Sequence, residues 1–449
     1  MTQVATPKDA YLAGFEALER AGAASSPAWL RRIRREAIAR FAEQGFPTVR
    51  LEDWKYTNVA PIAATAFRPA DGPPNGLPAE AIARFVAGDG ARHRLVFVNG
   101  HFAAKLSSVA PLPGGARVTS LAEALLTDAA VLEPHLGRYA PSEGIDYGFT
   151  ALSTALAPDG AFVYLPPAVR VAEPIHLLFV ATAPAAPVLA QPRVLVVIER
   201  GSEATLVESY VSVGDDTYFT NAVTEIVLGE GALLEHYKIE EESERAFHVG
   251  TTQVTQGRDS SFTSGSVSLG GKLARNNLSL RFTAPGASCT LNGLYVLHGR
   301  QHVDNHTLVD HAVPRCTSRQ LYKGVLDGSA RAVFNGRVIV REDAQHTDAH
   351  QTNKNLLLSE GAEVDTKPQL EIFADDVKCA HGAAVGQLGE DAVFYLRSRG
   401  LGEEAARILL TYGFMSDVIR RITVEPIRAR LDRLLMARLR ETRAAKETR

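Results

Sequence analysis

The sequence predicts a mainly β protein: a coiled stack of short strands from about residue 158 to 397, with helical segments on either side. Three observations carry this. Strand-like runs of four to nine residues fill that region, among them Val194–Ile198, Ala222–Leu228, Leu278–Phe282, Leu291–Leu297 and Val333–Val340. A glycine followed by small or polar residues and a strand recurs at Gly201, Gly231, Gly257, Gly286, Gly328 and Gly361, at intervals of 30, 26, 29, 42 and 33 residues. Helical periodicity is confined to the two ends. Periods in this range point to a solenoid, whose coils turn at residues able to take φ > 0 and lay each strand on its neighbour. A β-sandwich with glycine turns fits the same repeat, and the 42-residue interval is its irregular member.

Taken in order, residues 8 to 45 read as helical: Leu30, Ile33, Ala37 and Phe41 recur at helical spacing, and Gly45 then Pro47 supply a stop. Between residues 50 and 141 the pattern is that of a small α/β region. It has a Pro/Gly-rich break at Asp71 to Pro78, a strand at Leu95 to Val98, a second break at Pro111 to Gly115 and a helix near Leu121 to Leu126. After Gly400 helices return, at Glu403 to Met415 and Val424 to Glu441. Pro426 suits a first turn, and Ile427, Leu431, Leu434 and Leu435 form an apolar stripe. This last segment holds eleven Lys and Arg against seven Asp and Glu, which reads as a solvated face over a packed stripe or as a docking surface. The expected division is 1–150, 151–397 and 398–449.

The composition excludes more than it specifies. With 449 residues, 45% hydrophobic and 22% charged, the chain can bury a sizeable core, and a formal charge of −3 gives no field for nucleic acid or an anionic membrane. The most apolar stretch, Ile175 to Ala190, is broken by Pro184 and Pro187 and falls short of the roughly 20 residues that span a bilayer. No basic, apolar, small-residue succession marks a secretion signal. Cys289, Cys316 and Cys379, odd in number and widely spaced, make a poor disulfide framework. A cytoplasmic protein with free thiols is the expectation.

Candidate chemistry is sparse. Cys379-Ala380-His381 places a thiol and an imidazole at i, i+2, on one face of a strand about 6 to 7 Å apart. Both suit iron, zinc or an iron–sulfur centre, but two ligands do not close a site, so the rest must come from elsewhere or from another subunit. His346-Thr-Asp-Ala-His350 lacks the glutamate of a zinc-protease helix and sits in β-favouring context. His298, His302 and His306 fall in strand-like sequence, where i and i+4 lie about 13 Å apart, too far for one ion. Cys289 and Cys316 read as buried apolar residues. There is no phosphate loop, dinucleotide fingerprint or nucleophile elbow; Gly270-Gly271-Lys272 lacks the first glycine and the Ser/Thr of the former. An alternative from another class is a β-helical carbohydrate-active enzyme with Asp304, Asp310, Asp343 and Asp348 as carboxylate pairs.

Three stretches carry a resemblance: Gln345-His-Thr-Asp-Ala-His-Gln-Thr-Asn-Lys-Asn-Leu-Leu-Leu-Ser359, Asp376-Val-Lys-Cys-Ala-His-Gly-Ala383 and Phe394-Tyr-Leu-Arg-Ser-Arg-Gly400. Over most of residues 150 to 449 the chain resembles the SufB/SufD family of iron–sulfur cluster assembly, and Glu52-Asp-Trp-Lys-Tyr-Thr57 resembles the family's N-terminal motif. Val-Lys-Cys-x-His-Gly is the SufD form, with a SufB paralogue as the alternative. The resemblance implies a right-handed parallel β-helix between an N-terminal region and a C-terminal helical domain. It further implies a non-catalytic scaffold that pairs with SufB through the β-helix, forms a homodimer when isolated, and docks the ATPase SufC through its C-terminal helices. Cys379 and His381 would then be ligands of a nascent cluster or of iron shared with SufB, with nothing tightly held by the isolated chain. Glu403, Arg407, Leu410, Tyr412 and Phe414 would face SufC.

Overall fold

Successive strands go alternately to two sheets, so that every coil contributes one strand to each. The computed structural model describes residues 7–22, 26–70, 72, 76–86, 92–140, 147–182 and 187–447. The first sheet runs from Gly160–Leu165 through Arg193–Ile198, Tyr218–Leu228, Phe247–Gln256, Leu273–Phe282, His302–His311 and Arg331–Val340 to Glu363–Ile372. The second runs from His93–Val98 through Ile175–Thr182, Glu203–Val213, Leu233–Glu241, Ser261–Ser268, Ser288–Leu297, Thr317–Leu326 and Asp348–Leu357 to Lys378–Gly386. Pairing along these paths is parallel and in register. Glu203 lies beside Leu233, then come Ser261, Ser288, Thr317, Asp348 and Lys378, giving coils of 30, 28, 27, 29, 31 and 30 residues. This is a parallel β-solenoid; a sandwich would pair its strands antiparallel.

The turns explain the irregular repeat. One rim carries a column of residues in the left-handed region: Ala168, Gly201, Gly231, Asp259, Gly286, Arg315 and His346, spaced by 33, 30, 28, 27, 29 and 31. Only three of the seven are glycine. Each coil holds the next through the backbone here, as in Gly201 N–H to the Glu230 carbonyl and Arg315 N–H to the Gln345 carbonyl. Those bonds offset a conformation that costs an L-residue roughly 1–2 kcal/mol. Gly328 belongs to the opposite rim, where it stacks against Gly299, and Gly361 lies against Gly328. The 42-residue interval therefore crosses from one rim to the other rather than marking a longer coil.

Alternate side chains from both sheets fill a narrow interior, with Leu206, Ile226, Val254, Phe262, Leu280, Leu291 and Val309 among them. Tyrosine and glycine interlock on adjacent coils: Gly293 pairs with Tyr322 and Tyr295 with Gly324, and a Cβ on either glycine would overlap the facing ring. The outer faces are covered separately. Helices Pro7–Gly22, Ala28–Gln44 and Tyr147–Leu156 pack Phe41, Phe149 and Leu152 on Phe219, Phe247 and Val249 of the first sheet. The 8–45 segment thus holds two helices, Pro7–Gly22 and Ala28–Gln44, and Gly45 (φ 66) closes the second by donating to the Phe41 carbonyl. Helices Glu403–Ile419 and Glu425–Glu447 lay Met415, Val418, Leu431 and Leu435 on Val207, Ile239, Val267 and Val325 of the second sheet.

Of three local expectations, two change and the middle one holds. Residues 390–398, read with the strands, form a helix that buries Val393. Ile175–Thr182, the start of the apolar stretch, is a solenoid strand, and Pro184 lies outside the described residues, as do 71 and 73–75 of the first break. His93–Val98 and the antiparallel Arg117–Ser120 join the sheets at the N-terminal end of the solenoid and finish it there. At the other end Glu363–Ile372 and Lys378–Gly386 each have a single neighbour among the described residues, and the stack stays open.

Candidate functional site

Cys379 and His381 lie on the terminal strand, Lys378–Gly386, whose partners in register are Ala349 and Gln351. Both point to the inner side of the sheet, at its uncovered end. Cys379 is half-buried against Val338, Val340, Ala344 and Ala349, whereas His381 is exposed. Burial pushes the Cys379 thiol above its ordinary range, the Asp348 charge adds to this, and a hydrogen bond from the Ala349 backbone works against it. A thiol so placed keeps its proton at neutral pH. Among the described residues no group of three or more His, Cys, Asp and Glu is placed to hold an ion.

The terminal strand is unusually bare. Its residues Lys378-Cys-Ala-His-Gly-Ala-Ala-Val-Gly386 are mostly small and nearly all exposed, so little stands between its free edge and another chain. The other edge strand, Glu363–Ile372, includes Pro368, which has no N–H to offer an added strand. Ile372, Phe373 and Val385 add exposed apolar surface at the same end.

The remaining histidines are engaged elsewhere. His346 Nδ1 meets Asp376 at 2.9 Å from its left-handed turn, His350 meets Asp348 at 3.1 Å, and His298 meets Glu244 at 3.2 Å. His306 Nε2 is 3.0 Å from Asp304 Oδ1, and His302 Nε2 is 3.0 Å from Thr57 Oγ1. Cys289 and Cys316 sit in the core, where burial raises both thiols. Of the carboxylates of the carbohydrate alternative, the two that share a strand stand too far apart to act as a pair. Asp304 and Asp310, six residues apart on one strand, are separated by about 20 Å, Asp348 lies on the other sheet, and a glycosidase pair needs about 5–9.5 Å.

The N-terminal motif proves to be a clasp. Trp54 is buried, with the Arg275 guanidinium 3.7 Å above its ring. Arg275 Nη1 donates to the Asp53 carbonyl and to Asp304 Oδ2, both at 2.7 Å, and Thr57 Oγ1 donates to the same carboxylate oxygen at 2.5 Å. Burial opposes the Asp304 charge, but Arg275, His306 and Thr57 outweigh it and hold the carboxyl well below its usual range. A second ionic cluster, not legible in the sequence, lies between the sheets. His236 meets Glu208 at 3.0 Å, Lys238 meets Glu240 at 3.0 Å, and His248 bridges Glu240 and Glu242 at 3.1 and 2.8 Å. Against the penalty of burial, Lys238 and His248 bring Glu240 down to about 2.

On the C-terminal helices the expected contact residues divide. Glu403 is exposed and Arg407 ties it to Glu390, at 3.1 and 2.9 Å. Leu410 is half-buried. Tyr412 and Phe414 are half-buried against the fold itself: the Tyr412 hydroxyl donates to Asp432, and the Phe414 ring lies under Lys323 Nζ. The exposed apolar residues are instead Phe394, Tyr395, Leu401 and Leu409. Phe394 and Tyr395 directly follow buried Val393, a helical signal masked by the strand texture before it.

Family comparison agrees with this architecture. The SufBD core domain model of the SUF iron–sulfur cluster assembly system matches residues 179–414, and the SufBD N-terminal region model matches 5–177. The chain is 36% identical over 400 residues to an iron–sulfur cluster assembly SufBD family protein of Synechocystis, covering 87% of both. It is 32% identical over 386 residues to the iron–sulfur cluster assembly protein SufD of Escherichia coli, covering 86% of this chain and 87% of that one. Against SufD of Bacillus subtilis the identity is 29% over 315 residues, 68% of this chain and 71% of that one. The protein is a β-solenoid scaffold by architecture. It belongs to the SufBD family of iron–sulfur cluster assembly proteins. Among the described residues no helix is long and apolar enough to cross a membrane.

Proposed function

We propose that this chain is the SufD-type scaffold subunit of a cytoplasmic cluster-assembly complex, pairing with a SufB-type partner at the open end of its solenoid. The observation that carries this is the terminal strand, a bare unpaired edge that presents a thiol and an imidazole together. A free edge is a template for another chain, and an exposed one invites self-pairing, so a homodimer forms through it when the partner is absent. Cys379 and His381 supply part of a ligand set that the partner completes. Iron or a nascent cluster is the cargo, held briefly because neither subunit closes the coordination alone. The chain contributes no ATPase chemistry; that belongs to a SufC-type partner seated on the C-terminal helices, where Phe394, Tyr395, Leu401 and Leu409 offer apolar contact beside Glu403 and Arg407.

Reconstitution of the complex tests the site. His381→Ala and Cys379→Ala are expected to lower iron and sulfide content per complex with subunit stoichiometry unchanged, and wild-type content in both variants would remove the assignment. Phe394→Asp with Leu409→Asp is expected to lose the ATPase on co-purification while retaining the SufB-type partner.

A further inference from the structure

Directly beneath His381, one coil inward, lies Gln351. The two are partners in register on adjacent strands and share the inner face, so about 4.8 Å of rung spacing separates their backbones. Gln351 is 1% exposed, and neither its amide nitrogen nor its amide oxygen has a hydrogen-bond partner among the described residues. Its carboxamide reaches across the interior to the opposite sheet, where it rests on the bare Cα of Gly336; a Cβ at that position would overlap all three amide atoms. The next residue in the column, Gln320, is anchored by Thr307, whose hydroxyl donates to Oε1 at 2.8 Å. Gln351 has no such anchor.

A buried carboxamide with both atoms free is costly to keep, and native folds satisfy nearly all such groups. Ligating histidines, for their part, commonly donate the second ring N–H to a carbonyl or carboxylate, which fixes the tautomer and the ring plane. Resting on the reading of His381 as a ligand, we infer that Gln351 is the positioning residue of that histidine. Its Oε1 accepts the inner ring N–H when the partner covers the open end, leaving the other ring nitrogen to the iron or cluster. Gly336 keeps the space in which the carboxamide turns to do so.

The test uses the reconstituted complex and follows cluster lifetime against a chelator and the visible circular dichroism of the cluster. Gln351→Leu removes the acceptor, Gly336→Ala displaces it without changing it, and Gln351→Glu retains an acceptor oxygen. The first two are expected to shorten the lifetime roughly ten-fold or more and alter the spectrum alike, with Gln351→Glu recovering most of the lifetime. The melting temperature of the isolated chain should not fall in Gln351→Leu, because the lost group has no bonds there. Wild-type lifetime in Gln351→Leu alongside cluster loss in His381→Ala would overturn the inference and leave the site standing. A lowered melting temperature in Gln351→Leu with an unaltered spectrum would also overturn it, as the mark of a packing role. Wild-type lifetime in His381→Ala would instead sink the site reading itself.

Discussion

Replacing Asp304 by alanine strikes the clasp that joins the N-terminal region to the solenoid. The carboxylate is 1% exposed and receives Arg275, Thr57 and His306; the Arg275 side chain is fully buried. Removing it leaves a guanidinium in the interior with the Asp53 carbonyl and Asn277 Oδ1, but with no charge to oppose its own. Breaking a buried ion pair from one side costs about 3–5 kcal/mol, chiefly through the uncompensated charge. Thr57→Val removes one hydrogen bond to that carboxylate, for about 1.5–3 kcal/mol. Urea unfolding measures both, and limited proteolysis shows whether residues 50–70 detach first. The paired replacement Arg275→Met with Asp304→Leu removes both members of the buried pair and should be less destabilised than either single change. A loss below about 1 kcal/mol in Asp304→Ala, the scale of an exposed pair, would refute the reasoning.

Two further predictions concern the interior. Gly324→Ala drives a methyl into the Tyr295 ring and should cost about 1–3 kcal/mol by overpacking; Tyr295→Leu in the same chain should relieve part of it, and strict additivity would count against the interlock. Burial holds His176 down to about 3 and His311 to about 4, with Asp310 partly opposing the latter. Both stay neutral in the fold while the unfolded chain protonates below its ordinary value near 6.5, so stability is full above that pH and falls as the pH drops toward 4. Between pH 7 and 5 each should cost about 2 kcal/mol, a figure set by the unfolded value. Glu240, held at about 2, adds a second loss only below pH 4.5. Unfolding at pH 7 and pH 5 checks this: His176→Asn should flatten the slope, and an unchanged slope would exclude the histidine.

Much of the fold was legible because burial leaves its mark on a sequence. A strand buried on both faces has to be apolar throughout, as Val194–Ile198 is, and a helix over a sheet has to show a stripe, as Ile427, Leu431 and Leu435 do. The Cys379-Ala-His381 pair and the family motifs were local strings, so they too could be read directly. The helix at 390–398 was not, since it is short and buries one residue.

What the sequence by itself determined is therefore the class of fold and its place in the SufBD family. What only the tertiary structure decided is who stands beside whom. The coil length emerged from register, because Asp259, Arg315 and His346 occupy left-handed turns that no glycine announces and that cross-coil backbone bonds sustain. Trp54 found Arg275 and Asp304 across more than two hundred residues, and Gln351 came to lie under His381 thirty residues away. Such contacts depend on how many residues each turn consumes, and a one-residue change in a turn would shift every partner above it to the other face.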